Sequence, residues 1–113
     1  MPKNDLARQK GFAKEQLACD WLVAQGFKII DRNYYAKCGE IDIIAMRGGV
    51  LHFVEVKSGS SFEPIYAITP SKLGKIIATI HHYRKTKSSY SAYEVDACIV
   101  KGESVELIEN ITI

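Results

Sequence analysis

Asp42, Glu55 and Lys57 have the types and spacing to hold a divalent cation beside a polyanion. Between the two acids lies Gly48-Gly49, a good two-residue hairpin turn. Such a turn sets Asp42 opposite Glu55 and Glu40 opposite Lys57. Side chains alternate along a strand, so all four share one face of the hairpin. The other face carries Ile41 opposite Val56 and Ile43 opposite Val54, an apolar surface that should meet a helix. Nearer the turn, the acidic face carries Ile44 opposite Phe53, which implies partial burial. Like charges opposed across a ladder destabilise it, and one of two such carboxyls resists ionising. A dication resolves the conflict: Mg²⁺ takes oxygen ligands and binds through one or two carboxylates. Lys57 would orient water or offset charge on a phosphoryl group. The plainer reading is a Glu40–Lys57 ion pair with both acids on a solvated surface, and a bulge would break the register.

The elements that must position these residues are legible around them. The spacing predicts a helix from about Asn4 to Gln25, with Leu17, Ala18, Trp21, Leu22 and Ala24 as its apolar stripe. Gly26 is its expected stop. Phe27 to Asp31 reads as a short strand, and Asn33 to Gly39 as a loop with two tyrosines. The hairpin strands are Glu40 to Ala45 and Val50 to Lys57, followed by a loop from Ser58 to Ile68. Thr69-Pro70 opens a second helix, since threonine caps and proline suits the first helical position. It runs to about Thr86 on Leu73, Ile76, Ile77 and Ile80. Tyr93 to Val100 is a third clear strand, and a last one begins at Ser104. The order α-β-β-β-α-β-β is an α/β class, a mixed β-sheet flanked by helices.

Glu15 shares a helix face with Ala18, Cys19 and Leu22. It is a further ligand candidate, and the plainer reading is an exposed glutamate paired with Lys14 or Arg8. Lys72, Lys75, Arg84 and Lys85 cluster on the second helix, either as phosphate contacts or as a solvated face. Tyr35 and Lys37, with Tyr34, form an aromatic-basic stretch that would stack on a base or approach a backbone. His81 and His82 are adjacent and lack zinc-ligand spacing. His52 falls on the opposite sheet face from Glu55.

With 113 residues the chain is expected to be a single domain over residues 1–113. A net charge of +2 does not by itself identify a nucleic-acid binder. Cys19, Cys38 and Cys98 form no CxxC pair and are expected as buried free thiols. No apolar stretch is long enough to span a bilayer, so no membrane partner is expected. The polar start Met1-Pro2-Lys3-Asn4-Asp5 lacks a signal-peptide core, which points to the cytoplasm.

Gly39-Glu40-Ile41-Asp42, followed by Phe53-Val54-Glu55-Val56-Lys57, resembles the YraN-like family of small bacterial proteins. That family looks like a branch of the restriction-endonuclease-like PD-(D/E)xK superfamily and is similar to archaeal Holliday-junction resolvases. The resemblance starts near Gly11, includes Ala13, Glu15, Leu22, Gly26 and Asn33, resumes at Phe62, Ser71-Lys72 and Lys75, and ends near Asp96. It implies an endonuclease-like domain with Asp42 and Glu55 as metal ligands and Lys57 as the catalytic lysine. Val56 would add its backbone carbonyl, Glu15 matches a helix glutamate of the resolvase-like branch, and Lys72 matches a supporting position. Glu40 and Asp96 match family positions and stand as accessory candidates. Lys57 is followed by Ser58-Gly59-Ser60-Ser61, without the basic residue that family members often carry there.

The function implied is Mg²⁺- or Mn²⁺-dependent hydrolysis of phosphodiester bonds, with structured or branched DNA as the favoured nucleic acid. The ion would polarise a phosphoryl oxygen and lower the pKa of a water. Resolvase-like relatives act as homodimers, so a homodimer is the corresponding expectation. The competing reading is a non-catalytic module that binds nucleic acid or protein on the same scaffold, since a fold does not settle a function. A glycosidase-like acid pair fits worse, because directly opposed carboxylates stand too close.

Overall fold

A computed structural model describes residues 2–59, 68–87 and 92–112. Helix α1 (Pro2–Ala24) precedes strands β1 (Lys28–Ala36), β2 (Gly39–Arg47) and β3 (Val50–Ser58), then α2 (Pro70–Thr86), β4 (Tyr93–Lys101) and β5 (Ser104–Ile108). The order is the α-β-β-β-α-β-β expected of the sequence. The strands form one mixed sheet in the order β1-β2-β3-β4-β5. Only β3 and β4 run parallel. A parallel pair needs a crossover, and α2 stands between them in the chain.

Helix α1 stops where glycine allows it. Gly26 has φ +92°, Phe27 N–H donates to the Leu22 carbonyl and Gly26 N–H to that of Val23, each at 3.0 Å. This is the glycine-terminated cap in which the residue after the glycine packs back on the helix, and Phe27 and Leu22 share a buried cluster. Thr69 opens α2 by accepting the Lys72 N–H, with Pro70 in the first turn.

Each helix covers one face of the sheet. Ala18, Cys19 and Leu22 of α1 pack with Ile43, Ala45, Val54, Cys98 and Val100. Ile76, Ile80 and Tyr83 of α2 pack with Ile41, Ile44, Leu51, Phe53 and Val95. Ala24, expected in the α1 stripe, is exposed. Cys19 and Cys98 are buried free thiols, whereas Cys38 is half-buried. Burial pushes the Cys98 thiol up to about 12. Among the described residues, no helix is long and apolar enough to cross a membrane.

Three local expectations need correction. The stretch from Asn33 is not a loop: β1 continues through Tyr34 and Tyr35 to Ala36, which pairs with Gly39 across a tight turn. Asn33 sits at φ +52°, a conformation asparagine tolerates better than most side chains, and the strand passes through it without a change of register; the register shift in β1 lies earlier, between Ile29 and Asp31. Second, Ile41 and Ile43 do not share a face, since Ile41 belongs to the α2 cluster and Ile43 to the α1 cluster. The alternation breaks at Asp42, opposite Asn33. Third, the β2–β3 ladder runs from Arg47↔Val50 to Ile43↔Val54 and does not extend to Asp42 and Glu55. The expected loop after Ser58, with Phe62, falls largely on residues 60–67, outside the described ones.

Candidate metal and phosphate site

Beyond Ile43↔Val54 the strands part, and a side chain takes over from the ladder. Asp42 Oδ2 accepts the Val56 N–H at 2.8 Å. β3 keeps its pairing with β4 through Ser58, so the opening lies between β2 and β3 alone. It falls at the carboxyl end of the parallel pair, where open α/β sheets place their ligands.

Glu55 and Lys57 lie on the same side of β3 as Phe53, toward α2. The Glu55 side chain is 13 % exposed, and its Oε2 is 4.0 Å from Lys57 Nζ. Its Oε1 is buried without a hydrogen-bond partner among the described residues. Buried polar atoms are almost always paired, and an unpaired carboxylate oxygen is costly. Burial pushes the Glu55 carboxyl up to about 8, helped by the Asp42 charge and opposed by Lys57. Burial also raises Asp42, to about 6, against the lowering effect of the Val56 N–H. Two acids held in this way could hold a cation in place of their protons.

A cavity of about 200 Å³ opens over these groups, lined by Gly39, Glu40, Glu55, Lys57, Lys72 and Lys75 among others. Gly39 allows α2 to approach closely, because a Cβ there would stand 3.0 Å from Thr79 Oγ1. The close approach brings Lys72 and Lys75 over the acids. Arg84 and Lys85 are not brought there. Arg84 lies 12 residues further along α2 than Lys72 and 9 further than Lys75, about 18 and 14 Å at 1.5 Å per residue, with Lys85 one residue beyond. The Arg84 guanidinium sits 4.6 Å over the Tyr93 ring.

Glu15 approaches from α1. Its charge raises the Asp42 carboxyl, and its Oε1 pairs with Arg32 Nη2 at 3.5 Å. Of the partners expected from helix spacing, Lys14 donates instead to the Gly102 carbonyl at 3.0 Å, and the Arg8 side chain lies outside those described; Arg32 comes from β1. Tyr35 is exposed and pairs in register with Glu40. Its hydroxyl hydrogen-bonds the Glu40 carboxylate, which raises its pKa above the ordinary phenol range. Lys37 is exposed in the β1–β2 turn, at the same end of the sheet.

Asp96 is placed elsewhere. It is fully buried on the α1 side of β4, where Oδ2 lies 2.6 Å from His52 Nδ1 and Oδ1 accepts the Asn110 N–H at 3.0 Å. Glu94 joins the two, and one ligand-type atom from each of the three lies within 4.8 Å of the others. Burial and a hydrogen bond with Asp96 raise the Glu94 carboxyl. The sequence reading missed this cluster. Its signal was a histidine and an aspartate, each between apolar neighbours in a strand, which must find a partner when buried.

Comparison with known proteins follows the same residues. The chain matches the family described as "Uncharacterised protein family UPF0102" over residues 14–100, from the turn before Glu15 to the end of the buried run of β4. This chain belongs to the UPF0102, or YraN-like, family. Among its UPF0102 relatives, one from Helicobacter pylori (strain HPAG1) is 54% identical over 109 residues, 96% of each chain. Another, from Wolinella succinogenes, is 56% identical over 108 residues, covering 96% of this chain and 100% of the relative. A third, from Helicobacter hepaticus, is 52% identical over 107 residues, 95% of this chain and 97% of the relative. The matched span of the UPF0102 family contains every group around the cavity.

Proposed function

We propose that this UPF0102 protein is a metal-dependent nuclease that hydrolyses phosphodiester bonds, with structured or branched DNA as the favoured substrate. One observation carries the reading: a buried Glu55 oxygen without a partner among the described residues, beside an Asp42 carboxyl whose pKa burial also raises. The donor set suits a hard cation such as Mg²⁺ or Mn²⁺, which prefers oxygen. Asp42 and Glu55 would hold it, with the Val56 carbonyl as a third oxygen. The N–H and C=O of an extended residue point to the same strand edge, and the Val56 N–H already points at Asp42. When bound, the ion supplies Lewis acidity toward a phosphoryl oxygen and a more acidic water.

The chain's own residues do the rest. Lys57, beside Glu55, faces the developing negative charge and orients a water for in-line attack. Lys72 and Lys75 hold the phosphate backbone over the acids. Glu15, restrained by Arg32, sets the charge on the α1 side of Asp42. A reaction that cuts two strands calls for two copies, which is the reason to expect a homodimer.

The test is a set of end-labelled DNAs, single-stranded, duplex, flap and four-way junction, incubated with Mg²⁺ or Mn²⁺. Wild-type protein should cut at least one of them, and Asp42→Asn and Lys57→Ala should not. Absence of both binding and cleavage across the whole set, by protein that binds Mn²⁺, would overturn the nuclease reading. Binding without cleavage would favour the non-catalytic alternative.

A further inference from the structure

The carboxylate site has a second neighbour, on the α1 side of the sheet. A cleft of about 430 Å³ lies between α1 and the edge strand β1, lined by Gly11, Phe12, Glu15, Asn33 and Tyr35. Its volume falls within the roughly 300–1,000 Å³ common for small-molecule sites. Two of the described residues that line it are large aromatics left in solvent: Phe12 is 57% exposed and Tyr35 70%. Gly11 adds no side chain to the wall. Asn33, in its left-handed conformation, contributes an amide that offers both donors and acceptors. The Arg32 guanidinium lies 5.4 Å from the Phe12 ring centroid.

Strand register sets the cleft beside the acids. Asn33 lies opposite Asp42, between the pairs Arg32↔Ile43 and Tyr34↔Ile41. Tyr35 pairs with Glu40, which lines the other cavity with Lys57, Lys72 and Lys75. Thus a basic cavity and an aromatic-amide cleft flank the same carboxylates from opposite faces of the sheet. Lysines suit phosphates. Exposed rings suit the π-face that every base presents, and an amide suits a base edge. A base in a duplex hides its faces in the stack, so the chemistry fits an unstacked one.

We propose that the cleft between α1 and β1 is a nucleobase subsite, where Phe12 and Tyr35 stack on a base of a single-stranded segment whose backbone lies at Lys57, Lys72 and Lys75. The inference rests on the nuclease reading for its substrate and adds that the strand must be unpaired beside the cut. It gives the fold a way to choose single-stranded ends, flaps or junction arms over plain duplex.

The test compares a fluorescein-labelled oligothymidylate with an abasic strand of equal length and charge, by anisotropy at low salt in the presence of a chelator. Stacking contributes enough per base that wild type should bind the thymidylate roughly tenfold more tightly than the abasic strand. The Phe12→Ala/Tyr35→Ala double variant should lose that preference and keep its affinity for the abasic strand. Both residues are exposed, so folding should survive, and Tyr35→Phe should retain the preference because it keeps the ring. Equal binding of the two strands by wild type, absence of binding to both, or a preference that persists in the double variant would overturn the proposal. Mn²⁺ broadening of amide signals, recorded on the same proteins without the chelator, separates the two readings. Localised broadening without a base preference sinks the subsite alone, and a base preference without localised broadening sinks the metal site alone.

Discussion

Removing the Glu55 charge should stabilise the metal-free protein, and increasingly so as the pH rises. Glu55 has an ordinary carboxyl pKa of 4.5, and in the folded chain it is raised to about 8, chiefly by burial and then by Asp42. Its side chain is 13 % exposed, so solvent screens it little. The folded state therefore holds a proton that the unfolded chain has lost between those two values. Stability then falls as pH rises, by 1.36 kcal/mol per pH unit while the two states differ by one proton. The contribution is fully present below pH 4.5 and lost by about pH 8. A span of about 3.5 pH units makes this on the order of 5 kcal/mol as an upper bound, because a side chain that swings toward water recovers part of it. Against a typical domain stability of about 5–15 kcal/mol, that is a large share. The assay is urea denaturation of wild type and Glu55→Gln in a chelator, from pH 5 to 9. The two should be close at pH 5, and the variant should be more stable by about 2–5 kcal/mol at pH 8. Added Mg²⁺ should stabilise wild type at pH 8 and leave the variant little changed, since only the acid pair rewards the ion. Equal pH slopes in the two proteins would refute the reasoning.

Other perturbations probe the supports. Gly39→Ala places a Cβ 3.0 Å from Thr79 Oγ1 and should destabilise the fold by roughly 1–3 kcal/mol in denaturation. Its amides nearest α2 should shift most. Asp96→Ala leaves His52 and the Asn110 N–H without their buried partner, so a loss of about 3 kcal/mol or more is expected, with Mn²⁺ binding at Asp42 retained at low temperature. Lys72→Ala and Lys75→Ala should each lower the salt slope of single-stranded DNA binding by about 0.7. Arg84→Ala, at the far end of α2, should leave the slope unchanged; an equal fall would put the strand path elsewhere.

The architecture was legible because its signals are local. Gly48-Gly49 sets a hairpin, Thr69-Pro70 opens a helix, and Gly26 ends one, each through backbone conformation that few other residues adopt so readily. Strand period and the Gly48-Gly49 turn were enough to place Glu55 and Lys57 together and His52 on the other face. What stayed hidden depends on contacts between distant segments. Asn33 reads as a turn former, yet it lies within a strand that Tyr34 and Tyr35 continue. The face switch at Asp42 breaks the alternation, so strand period within β2 alone misplaces Ile41. The Asp42 carboxylate replaces a ladder bond to Val56, which no register rule anticipates. Glu15 finds Arg32 on β1 because α1 lies over that strand, and helix spacing offers only Lys14 and Arg8. For the same reason, the cluster of basic residues on α2 divides in space: Lys72 and Lys75 reach the cavity, while Arg84 reaches Tyr93.

The central claim is that Asp42, Glu55 and Val56 form a divalent-metal site, and amide NMR during a Mn²⁺ titration tests it most directly. Paramagnetic broadening should centre on Asp42, Glu55 and Val56 at sub-millimolar metal and should vanish in Asp42→Asn, whose amide oxygen still accepts the Val56 N–H and so preserves the local fold. Broadening centred on His52, Glu94 and Asp96 instead, or no localised broadening at millimolar metal, would contradict the account.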